Sequence, residues 1–236
     1  MGTFLKAEWQ KLVMANYIAE PGLLLPYLPY RTEFDLWNDS CYVSLIGFMF
    51  VNTRLKGIKV PFHTNFEEVN LRFYVRYKDN GIWKRGVVFI KEIVPRPALT
   101  VIARTFYNEP YVTRPMKHNW QNSEDELEVE YSWKSRRWNK IKILAENKKT
   151  EIAPGSEAEF ITEHYWGYTK IKENLTKQYG VEHPRWNLHP TINYEIDVDF
   201  SDVYGSEFNY LSHIQPTSVF LADGSSIEVK TGSDIR

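Results

Sequence analysis

Residues 68 to 76 place chemically active side chains at alternate positions of one predicted strand. Glu68, Asn70, Arg72, Tyr74 and Arg76 alternate with apolar residues in the run FEEVNLRFYVRY. An extended strand points alternate side chains to opposite faces, so these five groups share one face. A carboxylate, an amide, two guanidiniums and a phenol in a row are typical of a polar pocket wall. The same row could equally be a wet outer face, or a structural polar network inside the protein.

A second group of candidate residues follows in the run LTVIARTFY, residues 99 to 107, which we predict to be a strand. Arg104 is its lone charge, and a buried arginine needs an acidic partner or a ligand carboxylate that it can bind through two parallel hydrogen bonds. Tyr107, Glu109 and Tyr111 then alternate and would form a second wall of the cavity. We therefore expect Glu68 to act as a catalytic base and the ligand to be bound by Asn70, Arg72, Arg104, Tyr107, Glu109 and Tyr111.

The histidines are weaker candidates for chemistry. His63 and His164 lie near aromatic residues, where a histidine is more often packed than catalytic, although its pKa suits acid–base work. His183 and His189 each precede a proline, and no carboxylate or cysteine pattern completes a metal site around them. We expect neither a metal nor a cofactor.

The composition argues against several classes of function. Lys plus Arg is 29 and Asp plus Glu is 30, so the near-zero net charge argues against nucleic acid or an anionic membrane as the partner. Cys41 is the only cysteine, which excludes an internal disulfide and fits a reducing compartment. The N-terminus lacks a signal-peptide core, and the longest apolar run, 42 to 51, is too short for a membrane helix. We expect a cytoplasmic protein with a small-molecule ligand. The sequence does not decide whether the protein forms a homo-oligomer.

The pattern of apolar residues predicts many short strands and few helices. No linker or repeat interrupts the chain, so we expect one domain over residues 1–236, mainly β (α+β), with an antiparallel barrel or sandwich. We predict helices at 4 to 14, from Glu20-Pro21 onward and near 155 to 160, and a hairpin turn at Asn80-Gly81. Strands are predicted at 41–51, 66–77, 83–94, 99–107, 126–133, 138–145, 191–200, 218–222 and 227–230, the last two joined by an Asp223-Gly224 turn.

Five segments together resemble a known family. They are WQKLVMANY, YVSLIGFMF, HTNFEEVNLRFYVR, RGVVFIKEIVPR and ITEHYWGY, and they are similar to the YqjF-like family of uncharacterised proteins, a family of unknown function. That family is grouped more distantly with the acetoacetate decarboxylase-like superfamily. The resemblance implies an antiparallel β-barrel or cone with a few short flanking helices and a site in its interior.

The resemblance also bears on the mechanism. In the decarboxylases an arginine-led stretch runs into a Pro-Lys pair, whose lysine forms a Schiff base with the keto acid. Here Arg104 begins the matching stretch RTFYNEPYV, and Pro110 is followed by Tyr111 where the lysine would be. A Schiff base needs a primary amine, so that chemistry is not expected unless Lys91 or Lys117 reaches the cavity. Glu68 lies about where the superfamily has a pocket glutamate, and a shift of one residue would substitute Glu67.

Three hypotheses follow from these observations. The first is an enzyme that hydrates or isomerises a small carbonyl compound or hydroxy acid, with Glu68 as base and Arg104 as carboxylate anchor. The second is a non-catalytic sensor or carrier that uses the same pocket. The third is a structural barrel filled with its own side chains, since one scaffold hosts many functions.

Overall fold

The computed structural model describes residues 2–236, most of which lie in strands. The strands are β1 Thr3–Ile18, β2 Thr32–Phe34, β3 Tyr42–Leu55, β4 Phe66–Asp79, β5 Ile82–Val94, β6 Tyr111–Thr113, β7 Met116–Asn122, β8 Glu126–Lys134, β9 Trp138–Glu146, β10 Thr150–Glu151, β11 Trp166–Lys172, β12 Leu175–Glu182, β13 Asn187–His189, β14 Thr191–Asp197, β15 Ser218–Lys230 and β16 Ser233–Ile235. The helices are α1 Pro21–Leu24, α2 Pro97–Phe106, α3 Glu157–Thr162 and α4 Phe200–Tyr204, with 3-10 turns at Leu25–Tyr27 and Ser206–Ser212. Within residues 2–236, no helix combines the length and hydrophobicity that a bilayer crossing requires.

The larger sheet closes into a ring, because its strand pairings lead from β15 back to β15. The path runs from β15 through β1, β3, β4, β5, β11 and β12, and β12 pairs again with β15 through Val181 and Glu182. Most pairs are antiparallel, but β5 pairs in parallel with β11 and with β6. The mainly β prediction is therefore confirmed, with two parallel contacts that the sequence did not indicate.

A smaller sheet, in the order β14, β9, β8 and β7, packs on the outside of this ring. Its inner face carries the fully buried Trp133, Tyr131 and Ile143, which share one core with Val69 and Phe73 of β4. Strand β4 therefore buries both faces: its odd-numbered residues contact the smaller sheet, and its even-numbered residues point into the ring. The predicted hairpin turn is also confirmed, since Asn80 and Gly81 both have positive φ, 49° and 86°.

The helix predicted over residues 4 to 14 is wrong, because this segment is part of β1. Pairing with β3 shifts register between Gln10 and Val13, and Lys11 has a φ of 55°. Such a bulge reverses which residues face inward, so Trp9 before it and Leu12 after it both line the interior. Interrupted alternation of this kind imitates helical spacing.

The Asp223-Gly224 turn is wrong for the same reason. Strand β15 continues through Gly224, which pairs with Gln10 opposite the bulge and has a φ of 81°. A Cβ at this glycine would lie 2.0 Å from the Trp9 carbonyl oxygen. The glycine thus marks a close approach between two strands and not a chain reversal.

The strand predicted over residues 99 to 107 is also wrong, since this segment forms helix α2. Pro97 occupies its first turn, where the missing N–H leaves no hydrogen bond unmade. Leu99, Ile102 and Ala103 point into the ring at helical spacing, whereas Arg104 is exposed. Two of the four β-branched residues in this segment, Val101 and Thr105, lie on the exposed side of the helix.

Candidate functional site

A cavity of about 150 Å³ lies inside the ring. Most of its wall is apolar and aromatic, including Trp9, Phe48, Phe50, Phe66 and Trp186. Its polar side chains are supplied mainly by β4, β5 and β6, which lie side by side in the sheet, and by the segments that follow α2 and α3. The polar groups of the wall are Thr53, His63, Glu68, Asn70, Arg72, Glu92, Tyr107, Glu109, Tyr111, Thr162, His164, Tyr179 and His183.

Glu68 is held in the cavity by two donors. The Asn70 Nδ2 donates to its Oε1 at 3.0 Å, and the Tyr111 hydroxyl donates to its Oε2 at 2.8 Å. Burial raises the pKa of Glu68 to about 7, against the opposing effect of these hydrogen bonds and of the Arg72 charge. Glu68 is therefore a carboxylate that can take up a proton near neutral pH.

Two further carboxyls are buried beside it, Glu92 and Glu109. Burial, together with the negative charges of Glu109 and Glu68, raises the pKa of Glu92 well above its usual range. Burial raises the pKa of Glu109 to about 7. Both Glu109 oxygens and the Glu92 Oε2 lack a hydrogen-bond partner within residues 2–236. The wall therefore holds carboxyls that favour their protonated form, and these three buried oxygens have no hydrogen-bond partner among the described residues.

The alternation of residues in the sequence does not identify Glu92, because a β-bulge changes the register of β5 before it. Asn70 pairs with Glu92 and Leu71 with Lys91, but Arg72 pairs with Phe89, so β5 contains one extra residue. Val87 and Phe89 line the cavity, and simple alternation from them would turn Lys91 inward. The extra residue turns Glu92 inward instead. The one available signal was an acid in an otherwise apolar run.

The structure brings most of the predicted site residues together, but not all of them. Glu68, Asn70, Arg72, Tyr107, Glu109 and Tyr111 all line the cavity. Arg104 does not, because its helix turns it outward, where its Nε donates to the Tyr111 carbonyl oxygen at 2.8 Å. Its assignment as an internal carboxylate anchor is therefore wrong.

The choice between Glu67 and Glu68 is settled by the strand register. Glu67 lies on the opposite face of β4, where its Oε1 is 2.6 Å from the His118 Nδ1 of the smaller sheet. Glu68 lies on the cavity face and is 2% exposed. Only Glu68 contacts the interior, as the alternation of β4 requires.

Neither Lys91 nor Lys117, the two lysines that could replace the Schiff-base lysine, reaches the cavity. The Lys91 Nζ donates to the Val203 carbonyl oxygen on the outer side of β5. Lys117 lies over the Trp138 ring on the smaller sheet, with 4.9 Å between its Nζ and the ring centroid. Within residues 2–236, the residues that line the cavity include no lysine.

His164 occupies the other polar part of the wall. Its Nε2 lies 2.9 Å from the Asp35 Oδ2, which also accepts from the Arg85 Nε at 2.6 Å. Burial lowers the pKa of His164 to about 4, so the imidazole is neutral at pH 7 and its proton lies on the nitrogen that faces Asp35. The Nδ1 is then an acceptor, and it has no partner within residues 2–236.

Comparison with known proteins identifies relatives of this chain. The model of DUF2071, a family described as an uncharacterized conserved protein, matches residues 6–226. The uncharacterized protein YqjF of Bacillus subtilis (strain 168) is 26% identical over 206 residues, which cover 84% of this chain and 79% of YqjF. The predicted YqjF-like relationship is confirmed.

Solved structures share the fold at low sequence identity. Acetoacetate decarboxylase from Legionella pneumophila has a TM-score of 0.65 at 14% identity and covers 100% of this chain and 88% of its own. An acetoacetate decarboxylase-like enzyme from Sphingomonas wittichii RW1 has a TM-score of 0.67 at 8% identity, and the match covers 100% of this chain and 94% of that enzyme. The enduracididine biosynthesis enzyme MppR complexed with pyruvate has a TM-score of 0.63 at 10% identity, and the match covers 99% of this chain and 89% of MppR. The fold prediction is confirmed by these likenesses.

Proposed function

The chain belongs to the DUF2071 family of uncharacterized conserved proteins, and we propose that it binds a small organic compound with a carbonyl or carboxyl group and acts on it by acid–base chemistry. The observation that carries this proposal is the group of three buried carboxyls around one cavity, Glu68, Glu92 and Glu109. Burying acids without cationic partners destabilises a fold, so such a cluster is typical of functional sites.

Glu68 is the base in this proposal. Both its oxygens accept hydrogen bonds, which suits the ionised form, and its pKa of about 7 matches proton uptake near neutral pH. Glu92 and Glu109 are buried near each other, and the negative charge of Glu109 adds to burial in raising the pKa of Glu92, which favours a proton on one of the two carboxyls. One of this pair is the acid, and it donates to the ligand oxygen while Glu68 removes a proton from the adjacent carbon.

Tyr111 replaces a Schiff-base nucleophile in this proposal. From the sequence resemblance we expect it at the position of the decarboxylases' lysine, and its hydroxyl donates to Glu68. Burial and the neighbouring carboxylates raise the pKa of Tyr111 well above its usual range, so the phenol keeps its proton. A phenol cannot form an imine, and the absence of lysine from the described wall supports chemistry without a covalent adduct.

Proton exchange at a keto acid tests the proposal directly. In D₂O at pH 7, wild type is expected to speed deuterium incorporation into the methyl groups of pyruvate or the methylene group of 2-oxobutanoate, followed by proton NMR. Glu68→Gln should lower that rate about 10²–10⁴-fold, because general base catalysis contributes about that much. Glu67→Gln, on the opposite face of β4, is the matched control and should keep the wild-type rate.

Two results would contradict the proposed acid–base chemistry, and a third would limit the proposed function to ligand binding. Equal exchange rates for wild type and Glu68→Gln would remove Glu68 as base. A protein adduct trapped by borohydride with either keto acid would show a Schiff base and contradict the non-covalent chemistry. Ligand binding without exchange would favour a second candidate, a non-catalytic binding module, which the apolar majority of the wall also suits.

A further inference from the structure

The side of the cavity near α3 carries polar atoms that the acid–base proposal does not use. Arg72 enters the cavity from β4, and its Nε is buried without a partner. Its guanidinium makes no ion pair within residues 2–236, and its Nη2 is 3.5 Å from the Ile161 carbonyl oxygen, at the outer limit of a hydrogen bond. A cation placed this way in a protein wall favours an anionic partner.

Arg72 and His164 both pack against one aromatic ring, that of Tyr74. The Arg72 guanidinium carbon is 5.6 Å from the Tyr74 ring centroid, and the His164 and Tyr74 centroids are 4.7 Å apart. The His164 side chain is 1% exposed, and its Nδ1 is an acceptor without a donor. The pair is therefore fixed in place by packing, and both members keep a free polar atom.

Asn70 provides a third such atom between this pair and Glu68. Its Nδ2 donates to Glu68, but its buried Oδ1 accepts nothing within residues 2–236. The cavity thus contains one unused charged donor, on Arg72, and two unused acceptors, on Asn70 and His164. Buried polar groups left unpaired destabilise a protein, so a ligand that pairs them gains affinity and specificity.

We propose that Arg72, His164 and Asn70 form a subsite for a hydroxy carboxylate, which binds its carboxylate to Arg72 and donates its hydroxyl proton to the acceptor of His164 or Asn70. Asp35 and Arg85 are positioning residues, since their contacts keep the His164 Nε2 occupied. The inference rests on the proposed function, because it places the hydroxyl-bearing carbon beside Glu68. It narrows the ligand class from carbonyl or carboxyl compounds to 2-hydroxy carboxylates, including the enol tautomers of 2-keto acids, which a proton shift alone relates to the keto form.

Three aromatic probes of similar shape test the subsite by calorimetry and thermal shift at pH 7. Mandelate has both groups, phenylacetate lacks the hydroxyl, and 1-phenyl-1,2-ethanediol lacks the carboxylate. Wild type is expected to bind mandelate about tenfold or more tightly than either analogue, since each lost charged or buried hydrogen bond has about that effect.

Variants separate the two halves of the subsite. Arg72→Met should weaken mandelate and phenylacetate about 10- to 100-fold and leave the diol unchanged. His164→Phe combined with Asn70→Leu, which removes both acceptors, should remove the preference for mandelate over phenylacetate while keeping the need for a carboxylate. Arg104→Met removes an arginine of the same size from the outer surface of α2, and this matched control should bind all three probes like wild type.

The outcomes distinguish this inference from the proposed function. If Arg72→Met, folded by circular dichroism, binds mandelate as wild type does, the subsite is wrong, while loss of deuterium exchange in Glu68→Gln would still support the acid–base site. Binding of the diol in preference to mandelate, or no binding of mandelate by wild type at millimolar concentration, would also overturn the subsite. A Glu68→Gln variant that exchanges and binds normally would contradict the proposed function alone.

Discussion

Replacing Glu109 by Gln is expected to stabilise the protein increasingly as the pH rises. Burial raises the pKa of Glu109 from 4.5 to about 7, so the folded state holds its proton more strongly than the unfolded chain does. The stability that this carboxyl contributes is fully present below pH 4.5 and is lost as the pH rises toward 7. The neutral amide of the variant has no such loss, so its advantage in free energy of unfolding should grow by about 2–3 kcal/mol between pH 5 and pH 8.

Urea unfolding of both proteins at the two pH values measures this difference. Glu173→Gln is the matched control, because the Glu173 side chain is 91% exposed in the turn after β11, where water screens its ion pair with Lys170. Its effect should be the same at pH 5 and pH 8. An unchanged difference for Glu109→Gln would mean that Glu109 is hydrated or paired with a cation in the folded protein.

Trp133→Ala is expected to lower the free energy of unfolding by about 3–5 kcal/mol, the usual loss when a buried Trp becomes Ala. Trp133 is fully buried between the smaller sheet and the ring, in the same core as Val69 and Phe73 of β4. Its removal leaves a cavity that the two rigid sheets cannot close, and chemical denaturation at pH 7 measures the loss.

The same hairpin provides the control for this substitution. Trp138, at the start of β9, is 42% exposed, and its change to Ala should lower stability by about 1 kcal/mol or less. Equal losses for the two variants would show that the smaller sheet is not packed on the ring through Trp133. Neither Trp133 nor Trp138 lines the cavity.

Regular alternation made the central strands predictable from the sequence. In β4 the polar residues fall on one face and the apolar residues on the other from Glu68 to Arg76, so its inner face follows from residue types alone. The Asn80-Gly81 turn and the prolines after Val94 fix the ends of the neighbouring strand. These signals act between residues close in sequence.

The errors lie where one residue interrupts that alternation, or where tertiary packing decides. In β1 the bulge at Lys11 gives the apolar residues a spacing that resembles a helix. In β5 the extra residue places Glu92, and not Lys91, on the inner face. A bulge depends on the partner strand, so neither segment reveals it alone. In α2, Pro97 and the apolar face toward the cavity outweighed the strand preference of Thr100 and Val101.

Arg104 and His164 show the consequence for the site. The predicted strand would bury Arg104 and make it an anchor, whereas the helix exposes it. His164 was given little weight because a histidine among aromatics is usually packed. Its contact with Asp35, which is 129 residues away in the chain, leaves its other nitrogen as an unpaired acceptor. Such long-range pairing cannot be read from local pattern.

The central claim is that three carboxyls share one buried cavity and that burial raises the pKa of each of them, to about 7 for Glu68 and Glu109 and well above the usual range for Glu92. A carbon-13 NMR titration of the glutamate carboxyls, with Glu68, Glu92 and Glu109 assigned by single Gln variants, tests it most directly. The account predicts apparent midpoints of about 7 for Glu68 and Glu109, and a midpoint well above the usual glutamate range for Glu92. Midpoints near the ordinary glutamate value of 4.5 for all three would show that these side chains are solvated, and would contradict the account.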